Sequence, residues 1–246
     1  MHILLPPSET KRDGGIDGTV LDLHALSFSE LTSTRRSVLS AVRSLCSNRA
    51  EAAAALGLSK AQYFEIERNR ELRRSATMPA LDRYTGVLFD ALDAGSLPQA
   101  ARAFAGEQVV IHSALFGLIG AFDPIPAYRL SQDSRLPGLS LKKSWQGLVS
   151  RELRSLPGLV LDLRSESYVG LGQAPESATF VRVVTAGADG ARRALNHFNK
   201  KAKGEFVRAL ALAQIDHPDL DSLVAWAKAQ GIQLDHGSAG ELQLVV

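Results

Sequence analysis

The feature that most constrains this chain comes first: His2-Ile3-Leu4-Leu5 is a short apolar run stopped by Pro6-Pro7. A proline pair cannot extend a backbone ladder, so the run reads as a buried strand that opens directly into a loop. Similar runs follow at Val109-Val110-Ile111, at Leu159 to Leu163 after Gly158, at Thr179 to Thr185 and near Glu241 to Val246. Helical spacing lies between them. Val38, Ala41, Val42 and Leu45 recur on one face, a second run passes from Ala50 to Leu58 with Gly57 separating two helices, and Leu220 to Gln230 forms another. With 246 residues and 45% hydrophobic composition the chain can bury a substantial core, and one large domain is the favoured organisation.

Charge is informative in its distribution more than in its sum. Lys plus Arg is 28 and Asp plus Glu is 26, a net +2 that does not by itself announce a nucleic-acid partner. From Arg192 to Arg208, however, six basic residues face only Glu205, whereas from Ala209 onward only Lys228 offsets Asp216, Asp219, Asp221, Asp235 and Glu241. At 100° per residue Lys200, Lys201, Lys203 and Arg208 share one arc, while Phe198, Ala202, Phe206, Ala209 and Leu210 lie opposite. The segment reads as a helix with an apolar stripe and a cationic face. Lysines in the first turn after Asn199, read as the N-cap, oppose the helix dipole, a conflict that a bound anion would relieve. Gly204 within that face would let a phosphate come close. A solvated lysine face with an incidental glycine is the plain alternative.

Other classes are excluded or disfavoured. Cys46, the single cysteine, cannot form an internal disulfide and reads as a small core residue in a reducing compartment. The amino terminus lacks a basic signal-peptide region and no run reaches membrane-spanning length, so a cytoplasmic protein without a membrane partner is expected. H-E-x-x-H, Walker A and GxGxxG patterns do not occur, and no metal or cofactor is expected.

Several segments at strand ends carry chemistry. Ser8-Glu9-Thr10-Lys11 suits either a ligand-binding edge of a mixed sheet or a solvated turn. Tyr84-Thr85-Gly86 caps a helix or faces a cleft. Gly117 and Gly120 in an apolar setting suggest close packing. Prolines hold Phe122 to Leu130 out of helix and deliver Tyr128 and Arg129, whose guanidinium suits a phosphate or carboxylate, or a pairing with Asp123 or Asp133. Leu136 to Trp145, with Lys142 and Lys143, resembles the hairpin of helix-hairpin-helix DNA-binding modules, although Ser140 stands where the second glycine belongs. Ser165-Glu166-Ser167-Tyr168, directly after a buried strand, forms a candidate active edge, but no His lies nearby in sequence to activate a serine. Thr179 to Thr185 and Arg193 to Phe198 flank Ala186 to Gly190 as a hairpin leading into the basic helix.

Taken in order and spacing, Ile3 to Lys11, Tyr84-Thr85-Gly86, Ser113 to Arg129, Ser165 to Tyr168 and Phe198 to Gly204 resemble the YaaA family of peroxide-stress proteins, also known as UPF0246. The resemblance covers nearly the whole chain. It implies an α+β fold: a single mixed domain over residues 1–246, its central sheet wrapped by helices in the "cantaloupe" arrangement, with a positively charged cleft and a cytoplasmic setting. It also implies binding of duplex or branched DNA and a role in limiting iron-dependent oxidative damage. Carried over by position, the cleft residues are Lys11, Arg129, Lys200, Lys201, Lys203 and Arg208, with Tyr84, Ser165 and Tyr168 nearby. Where relatives can place a second acid before the tyrosine, this chain has Ser167.

Two functions stay open on the sequence, the first favoured by the family resemblance as a DNA-binding protein of the peroxide-stress response. One is a DNA-binding protein that grips the backbone through a basic cleft. The other is an enzyme acting on a small anionic or phosphorylated metabolite, with Lys11, Arg129 and Lys200 holding the anion and Tyr84, Ser165, Glu166 or Tyr168 doing the chemistry. A deep pocket too narrow for a duplex favours the second.

Overall fold

The structure, a computed structural model, describes residues 1–186, 192–194, 199–237 and 240–246. Its strands are β1 (His2–Leu5), β2 (Met78–Pro79), β3 (Val109–Ser113), β4 (Gly117–Gly120), β5 (Pro124–Ile125), β6 (Val160–Asp162), β7 (Thr179–Ala186), β8 (Arg192–Ala194), β9 (Leu234–His236) and β10 (Glu241–Val245). Its helices are α1 (Thr32–Leu45), α2 (Arg49–Leu56), α3 (Phe64–Arg70), α4 (Ala80–Arg83), α5 (Val87–Leu92), α6 (Gln99–Gln108), α7 (Leu141–Arg154), α8 (Glu166–Val169), α9 (Asn199–Ala213) and α10 (Leu220–Ala229).

Among the described residues eight strands form the central sheet, seven of them in the order β4-β3-β1-β6-β7-β10-β9. The inner five, β3, β1, β6, β7 and β10, are mutually parallel, and β4 and β9 close the two edges antiparallel. Strand β8 pairs antiparallel with the end of β7, as the expected hairpin requires; residues 187–191 and the Leu195 to Phe198 part of the expected second strand lie outside the described residues. Every residue of β3 and β6, and Ile3, Leu4 and Leu5 of β1, are buried. Consecutive residues of a strand face opposite sides, so helices must cover both faces. One group, α5, α6 and α9, packs together with α9 on β7; another, α1, α3 and α7, packs together with α7 on β4. The expected mixed domain of a sheet wrapped by helices is thus what forms, with a more regular parallel centre than an α+β pattern suggests.

Three buried arginines fasten the loops around this sheet. Arg35 on α1 donates to the carbonyls of Ser27, Phe116 and Leu118, and Arg83 on α4 donates to those of Arg12, Ala76 and Ile125. Arg164, after β6, pairs with Asp162 and donates to the Gly172 carbonyl. Buried loop carbonyls cannot find partners in a ladder, and these guanidinium groups supply them. The close packing read at Gly117 and Gly120 is present: a Cβ on Gly117 would lie 2.8 Å from the Trp145 ring, and one on Gly120 2.8 Å from Ser27 Oγ. Among the described residues no helix is long and apolar enough to cross a membrane.

Candidate functional site

From β1 the chain first places its next parallel strand, β3, on one side and later places β6 on the other. The strand order therefore reverses between β1 and β6, and loops leaving their carboxyl ends diverge and open a crevice. A cavity of about 530 Å³ lies there. Pro6 and Pro7 after β1, Leu163 and Ser165 after β6, Val87 to Phe89 of α5, Leu130 and Gln132, Ser167 and Tyr168 of α8, and Asn199, Lys200 and Lys203 of α9 form its walls, together with Ser8, Glu9, Thr10 and Gly86.

Lys203 is the best-defined charged group on this wall. Its side chain is buried, and Nζ donates to the strand-end carbonyls of Leu163 at 2.9 Å and Arg164 at 3.4 Å. Burial pushes its pKa down to about 8, with Asp162 opposing that shift. Lys200 lines the same cavity and is exposed. Beside them Ser165 Oγ and Ser167 Oγ lie 2.9 Å apart. Tyr168 is buried, which raises its phenol well above the usual range, and its ring stands edge-on to His112 at 5.6 Å.

The cationic face expected on α9 does not exist as a unit. Lys200 reaches the cavity, Lys201 is exposed and pairs with Glu205 at 3.3 Å, and Lys203 is buried against β6. Arg208 points elsewhere: it donates to Leu92 O, Asp93 O and Ser96 Oγ, satisfying the carbonyls at the end of α5. Gly204 serves packing and leaves no room for a ligand, because a Cβ there would sit 2.2 Å from the Leu88 carbonyl oxygen. Asn199 is the first helical residue, one position inside the expected cap. Asn196, His197 and Phe198 lie outside the described residues.

Other expectations are corrected in the same way. Lys11 does not line the cavity. Its Nζ is held by the carbonyls of Ser8 at 2.8 Å and Glu9 at 3.2 Å, over the rings of Tyr128 at 4.0 Å and Tyr84 at 5.5 Å, and burial pushes its pKa down to about 7. Tyr84 is buried in a chain in which its hydroxyl meets that of Tyr128 at 2.7 Å, and Tyr128 meets Ser113 at 2.8 Å. Glu166 turns outward to Arg182 at 3.2 Å and does not line the cavity. Arg129 pairs with Glu9 at 2.8 Å, not with Asp123 or Asp133, and borders a second cavity. Asp123 instead accepts from Ser27 and Gly120. Lys142 and Lys143 are exposed in the first turn of α7, which Ser140 caps, and residues 109–136 before the Pro137-Gly138 turn hold no helix, so the helix-hairpin-helix pattern is incomplete.

Sequence reasoning missed the polar layer beneath the cavity. Arg164 donates to His112 Nδ1 at 2.9 Å, leaving His112 neutral, its pKa well below the ordinary value through burial and then the Arg164 charge. Together with Asp162 it forms a buried row at the ends of β3 and β6. A charged residue inside an apolar run, Asp162 followed by Arg164, was the one available signal. Cys46 is fully buried and its thiol pKa is raised, first by burial, which makes it a core residue and an unreactive thiol.

Comparison with known proteins places this chain in a family. The profile described as "Peroxide stress protein YaaA" matches residues 1–236. A UPF0246 protein of Corynebacterium glutamicum (strain R) is 44% identical over 240 residues, covering 96% of this chain and 95% of that protein. A UPF0246 protein of Streptomyces coelicolor is 39% identical, covering 85% and 82%, and an uncharacterized protein of Campylobacter jejuni is 25% identical, covering 87% and 86%. On these matches, over almost its whole length, the chain belongs to the peroxide stress protein YaaA family.

Proposed function

We propose that this protein serves the peroxide-stress response by binding, and acting on, a small anionic metabolite in the cavity between β1 and β6. The observation that carries the reading is the size and lining of that cavity. Its volume of about 530 Å³ falls within the range of small-molecule sites. A sphere of that volume is about 10 Å across, the scale of a small molecule, which supports a metabolite over a polymer as its occupant. Hydroxyls of Ser8, Thr10, Ser165, Ser167 and Tyr168 surround Lys200 and Lys203, a mixture suited to a phosphate, sulfonate or carboxylate on a hydroxylated or polar body. With Glu166 turned away, Lys203 is the lining group whose pKa, about 8, suits proton transfer near neutral pH. The test is calorimetric titration with inorganic phosphate. Binding that Lys200→Ala weakens about tenfold supports the reading, since a charge-assisted contact is worth roughly 1.5–3 kcal/mol; a titration without heat or saturation removes it.

A second reading, DNA-backbone binding, is favoured by a different observation. Lys142 and Lys143 project from the start of α7 beside a Pro-Gly turn, and Lys200 and Lys201 are also exposed. Such binding would weaken steeply with salt, with a slope of about 0.9 per phosphate neutralised. Gel-shift affinity that Lys142→Ala/Lys143→Ala reduces at low salt supports it, and affinity indifferent to both salt and these lysines rejects it.

A further inference from the structure

A second cavity, of about 390 Å³, adjoins the first and is lined by Arg129, Ser131, Asp133, Ser134 and Arg135 and by the end of α2. Glu9 is the one residue lining both. Between them runs the segment 129–133, which ends in a turn where Ser134 N–H donates to Ser131 O; Leu130 and Gln132 line the first cavity, Arg129, Ser131 and Asp133 the second. Across this partition the Glu9 carboxylate, 64% exposed, meets Arg129, whose side chain is only 11% exposed, through a single hydrogen bond of 2.8 Å.

The two sides of that ion pair are unequally built. The backbone of Arg129 is clamped by the fully buried Asn69, whose amide accepts from Arg129 N at 2.9 Å and donates to Arg129 O at 2.8 Å. Glu9 sits on an exposed loop, and among the described residues its carboxylate makes this one ion pair, with the charge of the buried Lys11 acting on it from farther away. Asp133 is engaged by the Gln132 amide at 2.6 Å, and no carboxylate lies within ion-pair distance of the exposed Arg135 among the described residues. Moving Glu9 aside would leave two guanidinium groups facing one engaged carboxylate, a net positive cavity next to the Lys200 and Lys203 cavity.

We infer that the Glu9–Arg129 pair is a displaceable partition, and that the site takes an elongated ligand with an anionic group at each end, one held by Lys200 and Lys203 and the other by Arg129 and Arg135 in place of Glu9. The inference rests on the small-anion reading above and specifies its substrate class. The planar fork of Arg129 suits a carboxylate or phosphoryl group in the position the Glu9 carboxylate now occupies.

The experiment compares inorganic phosphate with a series of α,ω-alkane bisphosphonates of increasing spacer length, binding measured by calorimetry on the full chain. Tethering two contacts converts the second into an intramolecular event, so affinity should exceed that of phosphate by at least about tenfold at a matching spacer and fall back at shorter ones. Arg129→Gln should abolish the bisphosphonate-to-phosphate ratio, Arg135→Gln, at an exposed position that does not endanger folding, should reduce it, and Glu9→Gln should raise bisphosphonate affinity by removing the competitor. A ratio near one at every spacer, or a ratio that survives both arginine substitutions, overturns the two-ended site. If phosphate binds in a Lys200-dependent way without any bisphosphonate gain, only this inference fails; if phosphate does not bind, the small-anion reading fails with it.

Discussion

Lys203 has three N–H donors and directs two of them at strand-end carbonyls, which leaves the ammonium fixed at the wall of the cavity. An anion held by its charged form loses affinity as pH rises through about 8, the value to which burial pushes this lysine. Phosphate titrated at successive pH values should therefore bind progressively more weakly above that point, and Lys203→Arg should extend binding to higher pH; a wild-type profile without change would take Lys203 out of the site. Gly204 offers a sharper residue-level check. Its absent Cβ would meet Leu88 O at 2.2 Å and Ala91 Cβ at 2.9 Å, so Gly204→Ala should destabilise the fold by ~1–3 kcal/mol in urea denaturation. An unchanged midpoint would return Gly204 to the role of a ligand approach.

At the scale of elements, α9 shows why the helical wheel divided the basic residues wrongly. The period was correct, and Ala202, Phe206 and Leu210 are buried as expected. The wheel, however, treats every polar residue as outward, and α9 is enclosed by α5, α6 and the sheet over a wider arc that takes in Lys203, Gly204 and Val207. Arg208, on the margin of that arc, bonds the last carbonyls of α5 and so couples two helices that share no sequence neighbourhood. Arg208→Ala should lower stability by about 1–2 kcal/mol, discounted for its partial exposure, with hydrogen exchange accelerating first in α5. Loss confined to α9 would contradict this capping role. The strand-end segments fared better, since Ser8 to Thr10, Ser165 and Tyr168 do converge on one cavity, whereas Lys11, Tyr84 and Glu166 sit one position or one side chain away from it.

For the whole molecule, two buried lysines contribute a pH dependence of stability above neutrality, opposed in its upper part by the buried Cys46 thiol, whose pKa is raised by burial. Lys11 and Lys203 have folded pKa values of about 7 and about 8, below the ordinary 10.5. Between about pH 7 and 10 the unfolded chain therefore binds more protons than the folded one, and stability should rise with pH across that window. The phenols of Tyr84, Tyr128 and Tyr168, raised above the ordinary 10.0 by burial, act in the opposite sense once the unfolded chain begins to lose their protons, which ends the rise. Denaturation midpoints measured across the window should show the slope, and Lys11→Met should flatten its lower part. A midpoint that falls steadily from pH 7 to 9 would contradict the burial of these lysines.

Sequence alone determined the local grammar of this protein. Apolar runs closed by prolines, glycines and hydroxyls marked the strands, 3.6-residue spacing marked the helices, and the ordered stretches from Ile3 to Gly204 identified the family, because each of these depends on residues close together in the chain. Only the tertiary structure decided which side chains meet. That Arg129 finds Glu9, that Lys11 lies over Tyr128, and that Lys203 binds the end of β6 depend on strand order and on how far each loop carries its residues. Charge placement is the least legible of these, since a lysine in the sequence has the same chemistry whether folding buries it against carbonyls or leaves it in water.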